Sequence, residues 1–265
     1  MSFEYSRALM RPVTESLLDK VRSTDSTIKL NFANLQREQN KLAEVLKKRR
    51  INVTYINANP NYPEGCFIED CAVIIGETAL ICRPADQSRR GEVGVIRKYL
   101  EKEIHLKVHD LMDPNALLDG GDVLFTGMYL LFLTFSFFFI PSQIYFVVSE
   151  SKLLFQQIKE RTSNTYFKLD FDSDVPASVL FANGTLIHRS REEMGVTNCS
   201  ILDEKIGYDR DEVELREFDK LNRTISSLCL LINRIKTTRQ IMSDINDEDI
   251  NSYSTLTRKS KDYYK

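Results

Sequence analysis

The sequence predicts an α/β fold that is built from repeated ββαβ units. Two apolar runs, Cys71 to Ile75 and Thr78 to Ile81, are separated only by Gly76-Glu77, a spacing typical of a two-residue hairpin. A helix over about residues 91–102 and a strand near Leu106 follow the hairpin and complete one unit.

A second, fainter copy of the unit follows later in the chain. Asn183-Gly184 lies between the apolar runs 178–181 and 185–188, which is a strong signal for a type I′ hairpin. Helix-forming sequence begins at Arg191, and an apolar strand over residues 228–232 is predicted to complete the unit. Because a ββαβ unit cannot bury its own apolar face, its repetition implies a ring or a stack of units.

The chain before the first unit is predicted to contain a helix, a strand and a loop. Residues 31–50 have apolar side chains at helical spacing, residues 51–56 alternate like a strand, and residues 57–65 form a loop rich in Asn and Pro. We expect one domain over residues 1–235. The polar residues 236–265 carry few large apolar side chains and are predicted to be a disordered tail.

The overall composition argues against several classes of function. The chain has 36 basic and 38 acidic residues, which gives no general attraction to nucleic acid or to an anionic membrane. Five cysteines without a CxxC pattern, and no secretory signal, predict reduced thiols and a cytoplasmic protein. His105 and His109 are predicted to face outward on one side of a strand, so we expect no metal site.

Three acidic side chains lie at the start of the first hairpin: Glu64 in the preceding loop, and the neighbours Glu69 and Asp70. Adjacent carboxylates on a strand point to opposite faces, so both reach one ligand only where the strand ends or kinks. A solvated start of a strand is one interpretation. A functional interpretation requires a planar cation, and a guanidinium fits because its paired donors match carboxylate oxygens.

Two further motifs add to the acidic cluster. Ser88-Arg89-Arg90 follows the first hairpin and could bind a ligand carboxylate through the same type of pairing. Asp119-Gly120-Gly121-Asp122 predicts a tight turn, because glycine permits close approach of another backbone. Each motif is a weak signal alone, and only their order along the chain is specific.

Taken in order, several blocks of the sequence resemble the dimethylarginine dimethylaminohydrolase family. They are Ser6 to Arg11, Cys66 to Asp70, Gly76 to Ile81, Arg83-Pro84, Ser88 to Val93 and Leu118 to Gly127. The resemblance covers residues 1–127 well and residues 144–234 more loosely. It implies the pentein fold, an α/β propeller of ββαβ units. It also implies hydrolysis of N-omega-methylated L-arginine to citrulline and a methylamine, without a cofactor.

The resemblance implies roles for the residues at matching positions. In the family a cysteine thiolate attacks the guanidinium carbon, and a histidine oriented by a carboxylate protonates the leaving amine. The implied orienting carboxylate is Asp119. The residues implied to bind the small-molecule substrate are Glu64, Glu69 and Asp70 at the guanidinium, Arg89 at the α-carboxylate, and Val21 in a lid over the site.

The sequence after Gly127 departs from the family. No histidine occurs over residues 124–185, and His188 lies in a hairpin that aligns elsewhere. Ser227 occupies the expected nucleophile position, and without a nearby base its hydroxyl stays protonated. Cys229 could act only if its strand shifted register, and otherwise it packs as a small buried residue. We therefore expect an incomplete propeller and impaired catalysis.

The apolar residues 128–143 have three interpretations. One is a transmembrane helix, because residues 123–148 contain no charged side chain. Pro141 interrupts this run and neither flank is rich in Lys or Arg, so we expect no membrane anchor. A second interpretation is a buried pair of strands. The third, which we favour, is translated intron, because codons for Gly127-Met128-Tyr129 and Ser142-Gln143 can match splice-site patterns.

Three hypotheses for function follow from these observations. The chain represents a dimethylarginine hydrolase, or a non-catalytic relative that binds arginine-like ligands or a protein partner, or a membrane-anchored protein of unrelated role. Release of citrulline would identify the first, binding without turnover the second, and fractionation with membranes the third.

Overall fold

The computed structural model describes residues 4–125, 130–132, 137–140, 143–147, 166–169, 171–173 and 175–233. By its internal contacts the chain divides into one unit over Met1–Asn233 and a second over Arg234–Lys265. The second unit, and with it the predicted disordered tail, lies outside the described residues.

The elements of the fold have the following bounds. The described strands are β1 (Tyr5–Met10), β2 (Asn52–Tyr55), β3 (Ala72–Ile75), β4 (Thr78–Ile81), β5 (Lys107–Asp110), β6 (Val123–Phe125), β7 (Leu130–Phe132), β8 (Phe137–Ile140), β9 (Gln143–Val147), β10 (Tyr166–Leu169), β11 (Val179–Ala182), β12 (Thr185–Arg189), β13 (Asp209–Val213) and β14 (Leu230–Asn233). The described α-helices are α1 (Ser16–Thr24), α2 (Phe32–Lys48), α3 (Val93–Lys102), α4 (Arg191–Lys205) and α5 (Arg216–Asp219). Short 3₁₀ turns lie at Pro63–Cys66, Ile68–Cys71, Gln87–Glu92, Gly120–Asp122 and Ser226–Leu228.

Three of the sheets repeat one arrangement of strands. The sheets β3-β4-β5, β11-β12-β13 and β14-β1-β2 each contain an antiparallel pair followed by a parallel pair. In each, a helix precedes the last strand: α3 in the first sheet, α4 in the second and α2 in the third. The predicted first ββαβ unit is therefore confirmed. The sheet β8-β9-β10 has the same strand directions.

The prediction for the last strand of the second unit is wrong. Residues 228–232 do not complete that unit, because β14 pairs with β1 and the parallel partner of β12 is β13. The sequence of β13 is charged, and its buried Asp211 accepts hydrogen bonds from Lys48 Nζ at 2.6 Å and Arg49 Nε at 2.5 Å. A charged sequence of this kind has no apolar pattern that would mark β13 as a strand. The contacts that hold Asp211 come from the end of α2, far away along the chain.

The tip of the second hairpin confirms the predicted type I′ turn. Asn183 and Gly184 have φ angles of 49° and 80°, the left-handed pair that this turn requires. The Asn183 side chain also accepts a hydrogen bond from Tyr5 N at 2.7 Å and donates to Tyr5 O and Arg49 O, both at 2.9 Å. This turn therefore joins the second unit to the sheet that contains β1.

The main apolar core supports the region where the acidic residues lie. Its fully buried members include Met10, Leu17, Leu35, Leu42, Leu46, Phe67, Phe218 and Leu228. Burying each large side chain of this kind contributes about 1.5–3 kcal/mol. Phe67 packs edge-to-face against Phe218, with ring centroids 6.2 Å apart. The core thus holds the Phe67 ring in a defined position beside Glu69 and Asp70.

The structure describes the apolar segment 128–143 only in part. β7 and β8 within it are strands, which pair antiparallel with β6 and β9. The described stretches therefore have the backbone that the strand-pair interpretation expects. Among the described residues there is no helix with the length and apolar character needed to cross a bilayer. The translated-intron interpretation remains a prediction.

Candidate functional site

The three carboxylates of the acidic cluster lie on consecutive 3₁₀ turns. Glu64 belongs to the turn Pro63–Cys66, and Glu69 and Asp70 belong to the turn Ile68–Cys71 that leads into β3. A 3₁₀ turn does not alternate neighbouring side chains between two faces as a strand does. Two adjacent carboxylates can reach one ligand only where a strand ends or kinks, and the turn provides this geometry.

Two glycines let a second turn lie directly against these carboxylates. A Cβ atom on Gly120 would lie 2.1 Å from the carbonyl oxygen of Glu69, and one on Gly121 would lie 3.0 Å from Asp70 Oδ1. Only glycine permits such a close approach. Asp119 immediately precedes this turn. Burial, and next the charge of Asp70, raises the pKa of Asp119 and of Asp122.

Glu69 has the most strongly shifted carboxylate of the cluster. Burial, followed by the charge of Asp70, raises its pKa to about 7. The Ser226 hydroxyl donates a hydrogen bond to Glu69 Oε2 at 2.9 Å, which partly opposes this rise because it stabilises the ionised form. Glu69 therefore changes its protonation state near neutral pH.

Arg89 lies beside Asp70, with every nitrogen of its guanidinium bound to protein. Its Nε donates to Glu92 at 2.8 Å, Nη1 donates to Asp70, and Nη2 donates to the carbonyl oxygen of Phe67 at 2.8 Å. The side chain is 6% exposed. In this structure Arg89 holds Asp70 in place, and its assignment to a substrate carboxylate remains a prediction.

A second arginine, which the sequence analysis missed, lies among the acidic residues. The Arg223 guanidinium carbon lies 4.2 Å from the centroid of the Phe67 ring. Its Nη1 is 3.4 Å from Asp70 Oδ2, and its Nη2 is 3.4 Å from Glu64 Oε1. We call the surface formed by Glu64, Asp70 and Phe67 the cradle. In the sequence, Arg223 was marked only by its position four residues before Ser227. A basic side chain at such a position is also common on solvated turns.

The serines at the expected nucleophile position are close to the acidic cluster. Ser227 is buried and lies 3.0 Å from Thr224 Oγ1, while its neighbour Ser226 binds Glu69. The Glu69 carboxylate thus contacts Ser226 and not Ser227, and the expectation of an unactivated Ser227 hydroxyl remains a prediction. The contact could not be read from the sequence, because Glu69 and Ser226 are 157 residues apart.

Cys229 is buried just before β14. Burial, followed by the charge of Glu69, raises the pKa of its thiol, so the thiol form predominates near pH 7. The five cysteines of the chain are all buried and free. A catalytic role for Cys229 remains a prediction, and the environment described here favours the buried, uncharged form.

The three histidines lie away from the acidic cluster in their described contacts. His188 is buried in β12 with Nδ1 2.7 Å from Arg189 O, and burial lowers its pKa. His109 lies in β5, but His105 precedes that strand with a φ of 62°, so the prediction that both share a strand face is wrong. Within the described ranges no cluster of His, Cys, Asp or Glu could hold a metal ion.

The remaining predicted residue, Val21, lies in α1. Its side chain is 9% exposed and packs in the main core with Leu17 and other apolar residues. Helix α1 contacts the turn that carries Glu64. This places Val21 on an element next to the cluster, and its part in a lid remains a prediction.

The first half of the chain matches a known family. The model of eukaryotic N,N dimethylarginine dimethylhydrolases matches residues 13–128. The Bos taurus protein DDAH2 is 40% identical over 123 residues, which are 46% of this chain and 43% of the relative. The Pseudomonas aeruginosa N(G),N(G)-dimethylarginine dimethylaminohydrolase is 24% identical over 123 residues, 46% of this chain and 48% of the relative. The matched part thus spans less than half the length of these relatives.

Solved structures extend the similarity of the fold over most of the chain. A dimethylarginine dimethylaminohydrolase adduct with 4-chloro-2-hydroxymethylpyridine has a TM-score of 0.61 at 16% identity, covering 86% of this chain and 100% of that chain. AgrE in a ternary complex with ornithine and NAD+ has a TM-score of 0.67 at 14% identity, covering 88% of this chain and 40% of that chain. At these identities the similarity establishes the α/β fold alone. Over residues 13–128, this chain is similar to the eukaryotic N,N dimethylarginine dimethylhydrolases.

Proposed function

We propose that this chain recognises the guanidinium group of an N-omega-methylated L-arginine, and that the cradle is the recognising surface. One observation carries the proposal: the cradle already surrounds a guanidinium, that of Arg223. Two carboxylates lie near its terminal nitrogens, and its guanidinium carbon lies over an aromatic ring. This arrangement distinguishes a planar, charged head group from a neutral urea.

The chemistry of the cradle suits this ligand. Glu64 and Asp70 accept charge-assisted hydrogen bonds from guanidinium nitrogens, and the face of Phe67 attracts the delocalised cation. Arg89 supports the cradle from behind, because it binds both Asp70 and the carbonyl oxygen of Phe67. The paired contacts keep Asp70 oriented without an external ligand.

The similarity of residues 13–128 to the family model supports hydrolysis as the reaction of the site. The bond from the guanidinium carbon to the methylated nitrogen is broken, water supplies the new oxygen and two hydrogens, and citrulline and a methylamine are the products. In this chain we propose that hydrolysis is impaired. Ser227 stands at the expected nucleophile position, and His188, in β12, binds the Arg189 carbonyl. The carboxyl groups of Glu69 and Asp119 would then contribute to the electrostatic potential at the bound ligand.

The fold forms part of the same proposal. The repeated arrangement of an antiparallel and a parallel pair in the described sheets supports a propeller of ββαβ units. The departure after Gly127 supports a propeller that is incomplete there.

A second candidate function is that of a binding protein without turnover for arginine analogues. The protonated Cys229 thiol favours it, since a nucleophilic step requires a thiolate. Citrulline release from dimethylarginine by the purified chain separates the two candidates. Release that is lost in Cys229→Ala would establish hydrolysis and would reject the binding-only function.

The cradle itself is tested by its preference between two ligands. The full chain is titrated calorimetrically with asymmetric dimethylarginine and with citrulline, which has a neutral urea in place of the guanidinium. We expect dimethylarginine to bind at least about tenfold more tightly, because a charge-assisted hydrogen bond contributes about 1.5–3 kcal/mol. Glu64→Gln should reduce this preference, whereas Glu77→Gln, at the exposed tip of the first hairpin, should not. Equal affinity for both ligands in the wild-type chain would overturn the proposal.

A further inference from the structure

Arg223 reaches the cradle from a turn with a defined backbone. The turn follows α5, Asn222 has a left-handed φ of 53°, and the Arg223 amide donates to Phe218 O at 3.2 Å. Phe218 also packs against Phe67. The same residue therefore anchors the backbone of Arg223 and the ring beneath its guanidinium.

The Arg223 guanidinium makes the contacts that a ligand guanidinium would make. It contacts Glu64 and Asp70 through its two terminal nitrogens and covers one face of Phe67. With its guanidinium carbon 4.2 Å from the ring centroid, no second planar group fits between the two. A free guanidinium and the Arg223 side chain therefore exclude each other from the cradle.

The contacts of Arg223 are also those of a displaceable group. Both nitrogen–oxygen distances are 3.4 Å, longer than the 2.7–2.9 Å of a strong charge-assisted bond. The Arg223 side chain is 27% exposed, whereas that of Arg89 is 6% exposed. Of the two arginines at Asp70, Arg89 is the structural one and Arg223 has a path to solvent.

From these observations we propose that Arg223 is an intramolecular occupant of the cradle, which must leave before a ligand's guanidinium enters. This inference rests on the proposed function of the cradle and adds its regulation. Arg223 acts as an autoinhibitory contact that lowers the apparent affinity for guanidinium ligands. Its turn continues into Ser226 and Ser227, so displacement of Arg223 acts on the segment that carries the expected nucleophile position.

The inference makes a quantitative prediction for substitution of Arg223. A cradle that Arg223 fills nine-tenths of the time binds a ligand about tenfold more weakly than an empty one. We expect Arg223→Gln to bind asymmetric dimethylarginine about tenfold more tightly than the wild-type chain. The matched control is Arg37→Gln, which removes one positive charge from a side chain of α2 that is 66% exposed and should change the affinity by less than about twofold.

The outcomes separate this inference from the proposed function. If the wild-type chain does not prefer dimethylarginine over citrulline, the cradle itself is rejected. If the wild-type chain and Arg223→Gln bind dimethylarginine with the same affinity, or if Arg37→Gln gains as much affinity as Arg223→Gln, the role of Arg223 as an occupant is rejected while the cradle stands.

A second measurement keeps the test independent of the folding of the variant. In the wild-type chain labelled with ¹⁵N-arginine, the Arg223 side-chain resonance is assigned by its loss in Arg223→Lys. Saturation with asymmetric dimethylarginine should move this resonance toward that of a solvated arginine and leave the Arg89 resonance in place. Ligand binding without movement of the Arg223 resonance would overturn the inference.

Discussion

The Ser226 hydroxyl donates a hydrogen bond to the Glu69 carboxylate over 2.9 Å, across 157 residues of sequence. Glu69 belongs to the part of the chain that matches the family model, whereas Ser226 lies outside it. The bond therefore joins the acidic cluster to the segment at the expected nucleophile position. A change in the protonation of Glu69 consequently affects both the acidic cluster and the segment that contains Ser226.

The first prediction concerns the pH dependence of stability. Burial, and next Asp70, raises the pKa of Glu69 from 4.5 to about 7. The folded chain thus retains a proton that the unfolded chain releases as the pH rises from about 4.5 to 7, and stability falls through this window. We expect Glu69→Gln to raise the free energy of unfolding at pH 8 by roughly 2–3 kcal/mol and to change it little at pH 5.

Denaturant unfolding of the wild-type chain and the variant at the two pH values measures this difference. Glutamine can still accept the hydrogen bond from Ser226, so the comparison isolates the charge of residue 69. Glu77→Gln, at an exposed position, should show no dependence on pH. An equal effect of Glu69→Gln at both pH values would show that the carboxyl titrates normally.

The second prediction concerns the close contact between Gly120 and the Glu69 backbone. A methyl group at residue 120 would lie 2.1 Å from a carbonyl oxygen, so one of the two turns must move. We expect Gly120→Ala to lower the free energy of unfolding by about 1–3 kcal/mol, the usual cost of overpacking, and to abolish the preference for dimethylarginine over citrulline.

Gly94→Ala is the matched control for this substitution. Gly94 lies in α3, and a Cβ atom there would meet no atom within 4 Å. Alanine should stabilise the helix by up to about 1 kcal/mol and leave ligand preference unchanged. If Gly120→Ala behaved like Gly94→Ala in both measurements, the two turns would not be in contact as described.

The third prediction concerns Asn183, whose side chain joins two sheets. Asn183→Gly keeps the left-handed backbone available but removes the hydrogen bonds to Tyr5 and Arg49. We expect a loss of about 1–3 kcal/mol in the free energy of unfolding, because the Tyr5 and Arg49 groups lose their partner. Chemical denaturation followed by circular dichroism measures the change.

Asn222→Gly serves as the comparison for Asn183→Gly. Asn222 also has a positive φ, of 53°, and its side chain is exposed. Glycine there should be close to neutral for stability. Equal losses in the two variants would indicate that backbone entropy, and not the bonds made by Asn183, governs the effect.

Local sequence was sufficient for the first hairpin, the type I′ turn at Asn183-Gly184 and the helices α2, α3 and α4. Alternating apolar residues, turn-forming pairs and helical spacing are properties of neighbouring residues, so they are readable without the fold. The order of the motifs around Glu69, Asp70, Arg89 and Asp119 was sufficient to indicate the similarity to a family that the comparison over residues 13–128 also found. Local sequence could not identify β13 as a strand. The buried Asp211 of this strand is bound by Lys48 and Arg49, which are 163 and 162 residues away.

What the sequence by itself determined is therefore the α/β class, the repeated unit and the presence of an acidic cluster suited to a guanidinium. Only the tertiary structure decided which cations fill that cluster. Arg89 is held in the Asp70 network, and Arg223 is brought to Glu64 from 159 residues away. Charge attraction acts through space and not along the chain, so the partners of a carboxylate are known only once the fold has brought them together.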